Sequence, residues 1–433
     1  MENKRVDFFA LLLFCLFLNC TLAARFKVII SSALNNISIF TYTITLSMKY
    51  KLFTFLLALF TACLFVSCGD SKEDDIAALK KEALVQYADL VLANYEDSYN
   101  TATTLKQAID AFVANPTEAG FQACKTAWLA ARNPYGQTEA FRFYAGPIDD
   151  ADGPEGLLNA WPMDENFLDY VVSEPNAGVI NNPASIPVIN KTTLVGLNDL
   201  FSSEVAVFTG WHAIEFLLWG QDLSTTGPGA RPYTDYVVGP GGTAANQDRR
   251  GQYLTVAAEL LLEHLAQVRE DWKANGDFRN EFLNEKTSGE AMGLIFFGLR
   301  EFAKTEIAGE RMFVAIDTGD QEHEHSCFAD NTNADLIMNI IGCKNVYYGT
   351  YVGSTGATTT GKSFHDIALR LDPAKAEATA AAFAAAEAAM NAIPSPFDQA
   401  ILNSKPTIQA AIAATEALAD RLEEVGRAIG AEF

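Results

Sequence analysis

The sequence predicts an all-α protein built as two helical-bundle halves. Three observations carry this. Apolar residues recur at three- and four-residue steps over long stretches, the signature of one buried helix face. Period-2 alternation is scarce, and fragments such as Val346-Tyr347-Tyr348 are the only strand candidates. Helix boundaries are also marked by their own chemistry, with capping side chains and prolines where a helix must start or stop.

In chain order, the N-terminal region reads as targeting sequence rather than fold. Lys4-Arg5 leads into the apolar run Phe8 to Leu18, and Lys49-Tyr50-Lys51 leads into a second run, Leu52 to Val66, ending at Ser67-Cys68-Gly69-Asp70. The second run resembles a bacterial lipoprotein signal and is short for a membrane-spanning helix. Two signals in tandem make little sense, so Met48 is read as the start and residues 1–47 as an upstream extension. Residues 1–68 then form the leader, and Cys68 is the lipidated first residue of the mature chain. Residues 69–75 form an acidic, solvated tether, similar to the surface-export signal of Bacteroidetes lipoproteins. This places the protein in the cell envelope, held to the outer membrane by lipid.

Residues 76–245 make the first helical half. Leu84, Tyr87, Val91 and Tyr95 lie on one face of its opening helix. Two non-helical regions interrupt it. Ala145 to Pro162 is rich in Gly, Pro and Asp, and Gly227 to Gly242 is either a loop with a task or a floppy surface excursion. Residues 246–433 make the second half. Leu254, Ala258, Leu261, Leu265, Val268 and Trp272 mark a helix of about five turns. Asp372-Pro373 caps an alanine-rich helix that ends near Asn391, Ile393-Pro394-Ser395-Pro396 breaks it, and Phe397 to Leu402 follows. Ile408, Ile412, Thr415, Leu418, Leu422, Val425 and Ile429 define the last helix.

Of the 433 residues, 49% are hydrophobic, ample for a core, and the formal charge is −23. No basic stripe offsets that charge, which argues against nucleic-acid binding. Cys124, Cys327 and Cys343 remain beyond the lipid-bearing Cys68, so one disulfide at most can form, with Cys327–Cys343 the candidate pair.

Chemistry is concentrated in Gly210-Trp211-His212-Ala213-Ile214-Glu215, within the apolar run Val205 to Trp219. On a helix, His212 and Glu215 share a face one turn apart. An imidazole and a carboxylate so placed can bind one metal ion, or simply hydrogen-bond to each other in the core. Glu139 and Arg142, also three apart, read as an ion pair. His323-Glu324-His325 is either a metal-binding cluster or a solvated acidic loop, and Asp149, Asp152 and Glu155 do not fit EF-hand spacing.

Several non-periodic motifs stand in order around these residues: Thr138-Glu139-Ala140-Phe141-Arg142 after Trp128 and Arg132, Gly146-Pro147-Ile148-Asp149, and Asn159-Ala160-Trp161-Pro162. Beyond GxHxxE come Gly309-Glu310-Arg311-Met312, Asp320-Gln321-Glu322, His325-Ser326-Cys327-Phe328-Ala329-Asp330-Asn331-Thr332 and Pro396-Phe397-Asp398-Gln399. Together they resemble the imelysin-like family, within it the iron-regulated protein A group, over residues 76–433. The resemblance implies two helical bundles with a pocket near their junction, and a role either as metallopeptidase or as an accessory of iron-uptake components. It brings in Glu139, His325 and Asp330 as residues completing a metal shell begun by His212 and Glu215. The peptidase role meets an objection in the residues themselves. A zincin needs H-E-x-x-H and an inverzincin H-x-x-E-H, and here Phe216 stands where the latter's second histidine belongs. The expectation is a lipoprotein that binds iron, another divalent metal or a small ligand. A metallopeptidase and a metal-free surface adhesin are the alternatives.

Overall fold

The periodic segments are helices in the computed structural model, which describes residues 70–200 and 205–433. The leader, Met48 and Cys68 lie outside the described residues. Helix α1 (Asp70–Ala114) buries Leu84, Tyr87, Val91 and Tyr95 as one face. It begins within the acidic stretch read as a tether, whose Glu73, Asp74 and Asp75 are exposed. Helix α2 (Glu118–Thr138) is capped by Thr117, whose hydroxyl accepts the Gly120 N–H at 3.1 Å. Pro134 sits inside α2, and its carbonyl accepts from Asn94 Nδ2 at 2.8 Å, which fastens α2 to α1.

The short α3 (Glu155–Leu158), α4 (Gly178–Asn181) and α5 (Lys191–Leu200) lead to α6 (Gly210–Trp219), which is buried along its whole length. Helix α7 (Gln247–Trp272) packs on α6 with the six apolar residues of its predicted face buried. After α8 (Asp277–Asn284), α9 (Ser288–Glu301) opens with a reciprocal capping box between Thr287 and Glu290. It runs directly into a π-helical segment, Phe302–Phe313, and then the short α10 (Val314–Thr318). Helix α11 (Thr332–Tyr348) packs on α2. The strand-like Val346-Tyr347-Tyr348 is its last turn, because Val346 and Tyr347 continue the buried face of Asn339, Ile340 and Cys343. Gly349, at φ 60°, ends the helix. The hairpin follows, β1 (Thr350–Val352) antiparallel to β2 (Thr358–Thr360) with Thr350 opposite Thr360.

The chain closes with α12 (Phe364–Leu371), α13 (Pro373–Ala392), α14 (Phe397–Asn403) and α15 (Lys405–Ile429). Asp372 caps α13 by accepting from Lys375 N at 3.1 Å. Helix α15 packs against α13, α9 and the π segment, so this bundle stands beside the one formed by α2, α6 and α7. Residues on both sides of position 245 feed one continuous core within the unit Asp74–Phe433.

Two open readings are settled by packing. The Gly227–Gly242 loop is pinned rather than floppy: Arg231 Nη1 reaches Asp169 at 2.7 Å, Tyr236 donates to the Leu217 carbonyl at 2.6 Å, and Gly229 N–H donates to the Phe328 carbonyl at 2.9 Å. Cys124, Cys327 and Cys343 are free, buried thiols, so the Cys327–Cys343 bridge is not formed.

Candidate functional site

Gly210, the first letter of GxHxxE, makes the site sterically feasible. Its φ is +86°, and a Cβ there would lie 2.4 Å from the Leu158 carbonyl oxygen. Only glycine permits both the left-handed backbone and that approach. The first turn of α6 therefore abuts the end of α3, and His212 lies under Trp161 with ring centroids 4.9 Å apart.

His212 and Glu215 do share a helix face, and they bond to each other: His212 Nδ1 stands 2.8 Å from Glu215 Oε2. Glu215 Oε1 accepts the Ala329 N–H at 2.9 Å. Both side chains are fully buried. Burial pushes the Glu215 carboxyl well above its usual range, against the opposing pull of the Ala329 N–H and Arg132. Burial, then His325 and Arg132, drives His212 well below the usual histidine range. The pair is thus held without net charge. His212 Nε2 has no hydrogen-bond partner among the described residues, and its ring meets that of His325 edge-on at 4.7 Å.

His325 comes from the segment between α10 and α11. Its Nδ1 lies 3.5 Å from Asp335 Oδ2, too long for a good hydrogen bond, and its Nε2 lies 3.4 Å from Asn159 Nδ2. Asp335 anchors this region. It pairs with Arg132 at 3.0 Å and accepts from Ser326 Oγ and from Asn331 Nδ2. Burial alone would raise the Asp335 carboxyl, but Arg132 and His325 hold it well below the usual carboxylate range.

Glu139 is buried as well and has another partner than the one expected. It begins a 3-10 turn, Glu139–Phe141, after which Arg142 is extended, so the two do not share a helix face. Glu139 pairs instead with Arg311 and accepts from Asn159 Nδ2 at 2.7 Å. Arg142 pairs with Glu155 at 3.0 Å. Glu306 is 2.9 Å from Arg311, and although burial opposes it, Arg311 and Arg142 bring its carboxyl down to about 2. Glu306 and Arg311 are five residues apart. They meet because the π segment advances by an i→i+5 turn.

Part of this network walls a cavity of about 340 Å³. The first half contributes Arg142, Glu155, Asn159 and Trp161, the second Glu306, Arg311 and His325. His212 and Glu215 lie behind that wall. Asp330 does not join them. Its φ of 55° turns it toward Glu324 and Asp398, and its carboxyl is pushed up to about 7 by burial, then by Asp222 and Asp398. The loop reading of His323-Glu324-His325 also fails, since Glu324 and His325 are buried. Asn159, Trp161 and Arg311 were visible in motifs without a chemical role. Asp335 carried no local signal, because its partner Arg132 lies 203 residues away.

The fold and site define an all-α protein with a buried His–Glu pair behind a charged cavity between two bundles. The imelysin family profile matches residues 91–425, and the chain belongs to that family. It is similar to iron-regulated protein A of Synechococcus elongatus, with 24% identity over 374 residues, covering 84% of this chain and 89% of that protein. A crystal structure described as an iron-regulated protein A precursor from Parabacteroides distasonis superposes with a TM-score of 0.65 at 18% identity, covering 82% of this chain and 95% of that one. An imelysin-like protein from Psychrobacter arcticus gives 0.53 at 15%, covering 82% and 93%. At those identities the two structures speak for the fold.

Proposed function

We propose that this chain is a cell-envelope lipoprotein, anchored through Cys68, that binds a metal ion at the cavity wall in the service of iron acquisition. One observation carries the reading: the buried, unpartnered Nε2 of His212 beside the ring of His325. Unpaired polar atoms in a dry interior are costly and rare, so a nitrogen of this kind is suited to a ligand. Two imidazoles suit iron, zinc, copper or nickel. Iron is the first candidate because the relative from Synechococcus is named for iron regulation.

His212 and His325 would hold the ion. With the ion bound, Glu215 would be ionised and would orient His212 by accepting a hydrogen bond from its Nδ1–H, the usual partnership of a carboxylate with a metal-bound histidine. Glu139 acts through Asn159 and Arg311 and shapes the wall. The cavity leaves room beside the ion for water or a small carboxylate-bearing ligand, and iron-uptake components at the membrane would receive the cargo. Glu215 has both oxygens engaged, which leaves it poorly placed as the free general base that a zinc peptidase needs.

The test is metal titration of the purified protein beside His212→Ala and His325→Ala. Affinity should fall at least tenfold in both while the helical spectrum persists. Because a cation favours the ionised form of Glu215, whose carboxyl is raised in the empty site, binding should tighten as pH rises and release a proton. Unchanged metal affinity in both variants would overturn the reading. Chelator-sensitive proteolysis that is absent from Glu215→Gln would replace it with the peptidase.

A further inference from the structure

A second constellation lies where Asp330 actually points. Glu324 ends the 3-10 turn Gln321–His323, Asp330 precedes α11, and Asp398 is the second residue of α14. One carboxylate oxygen from each lies within 4.8 Å of the other two. Oxygens bound to one calcium ion at about 2.4 Å can be no further apart than about 4.8 Å, so all three can reach a common centre.

Clustered acids alone say little, since exposed carboxylates often gather without an ion. Glu324 is different. It is fully buried, and neither of its oxygens has a hydrogen-bond partner of good geometry, the Thr332 hydroxyl giving its carboxyl only partial relief from burial. Asp330 Oδ1 is likewise without a partner. Asp398 is buried too, and its carboxylate is engaged by Gln399 through the backbone N–H and Nε2. Among the described residues none of the three makes an ion pair. Asp222 adds a further negative charge felt by both aspartates. A buried carboxylate without a well-formed hydrogen bond or ion pair, beside two more carboxylates, is arranged to receive a cation.

We infer that Glu324, Asp330 and Asp398 form a binding site for a hard divalent cation, of which calcium is the type, separate from the imidazole site. The donors are all oxygen, which suits calcium, magnesium or manganese and disfavours the softer metals that imidazole takes. The ion would clasp the segment before α11 to α14. That segment also carries His325 and the Ala329 N–H that holds Glu215, so the clasp stiffens one wall of the cavity without touching its occupant.

Calorimetric titration of the purified protein with calcium chloride, paired with thermal melts in calcium and in chelator, tests this. One equivalent should bind and raise the melting temperature. Glu324→Gln and Asp398→Asn should each weaken binding at least tenfold, and His212→Ala should leave it intact. Should either variant fail to fold, the wild-type titration beside His212→Ala still decides. Absence of any heat or melting shift with calcium, magnesium or manganese at millimolar concentration would overturn the inference, and so would binding that survives both acid variants. Loss of calcium binding in His212→Ala would also refute it, by showing a single shared site. A failure here leaves the transition-metal titration of His212→Ala unaffected, so the two readings stand or fall separately.

Discussion

Asp335 shows most plainly what one buried charge does. It pairs with Arg132 and accepts from Ser326 and Asn331, and Arg132 is itself fully buried. Removing the acid strands a guanidinium in the interior, which costs about 3–5 kcal/mol. Asp335→Asn should therefore lower unfolding stability by that amount in denaturant titration at pH 7. The pH dependence has a definite sign. The folded carboxyl lies below its unfolded value, so the stabilisation is complete above about pH 4 and is lost progressively as pH falls below it. The gap between wild type and variant should narrow only in acid, and a gap that widened there would contradict the assignment. The contrast with His212 and Glu215 is instructive. Their spacing exposes the pairing in the sequence, because a helix turn brings them together. Nothing local marks Asp335, whose geometry exists only once α2 and α11 have packed.

At the scale of elements, Gly210 joins backbone conformation to function. In Gly210→Ala the side chain is forced into a left-handed residue and against the Leu158 carbonyl. Strain of this kind costs about 1–3 kcal/mol. The melting temperature should drop, and on the proposed function metal affinity should weaken with it, because α6 must retreat from α3 and carry His212 away from Trp161. Full retention of both would show that the approach is not tight. Amphipathic periodicity foretold the buried faces of α1, α7 and α15 nearly residue by residue, since each face repeats over many turns. The π segment was not legible. Its widened turn packs against α15 and lets Glu306 reach Arg311, and no residue type announces it. Val346 to Tyr348 misled for a related reason: three residues of β-branched and aromatic character cannot outweigh the helix face they extend.

For the molecule as a whole, no helix among the described residues is long and apolar enough to cross a membrane. In the proposed topology attachment rests on Cys68 and its acyl chains. Cys68→Ala should move the protein from the membrane fraction to the soluble one, with unchanged helical content. Retention in the membrane, or a mature N-terminus mapped near Ala24, would defeat that topology. The two bundles and the position of the cavity between them suited the order of motifs along the chain. That order did not foretell which side chains would meet, as Asp330 stands with Glu324 and Asp398 rather than with His212 and Glu215. One consequence lies in the ownership of the cavity wall, which is divided between residues 142–161 and 306–325. Neither bundle possesses a complete binding surface, so whatever occupies the cavity acts as a fastener between them. Thermodynamic linkage makes occupancy and cohesion the same quantity seen twice: an occupant at a hundredfold excess over its dissociation constant adds about 2.7 kcal/mol against unfolding. On the proposed function, the protein would register an occupant through its resistance to heat and proteolysis, firm when the cavity is filled and easier to open when it is empty.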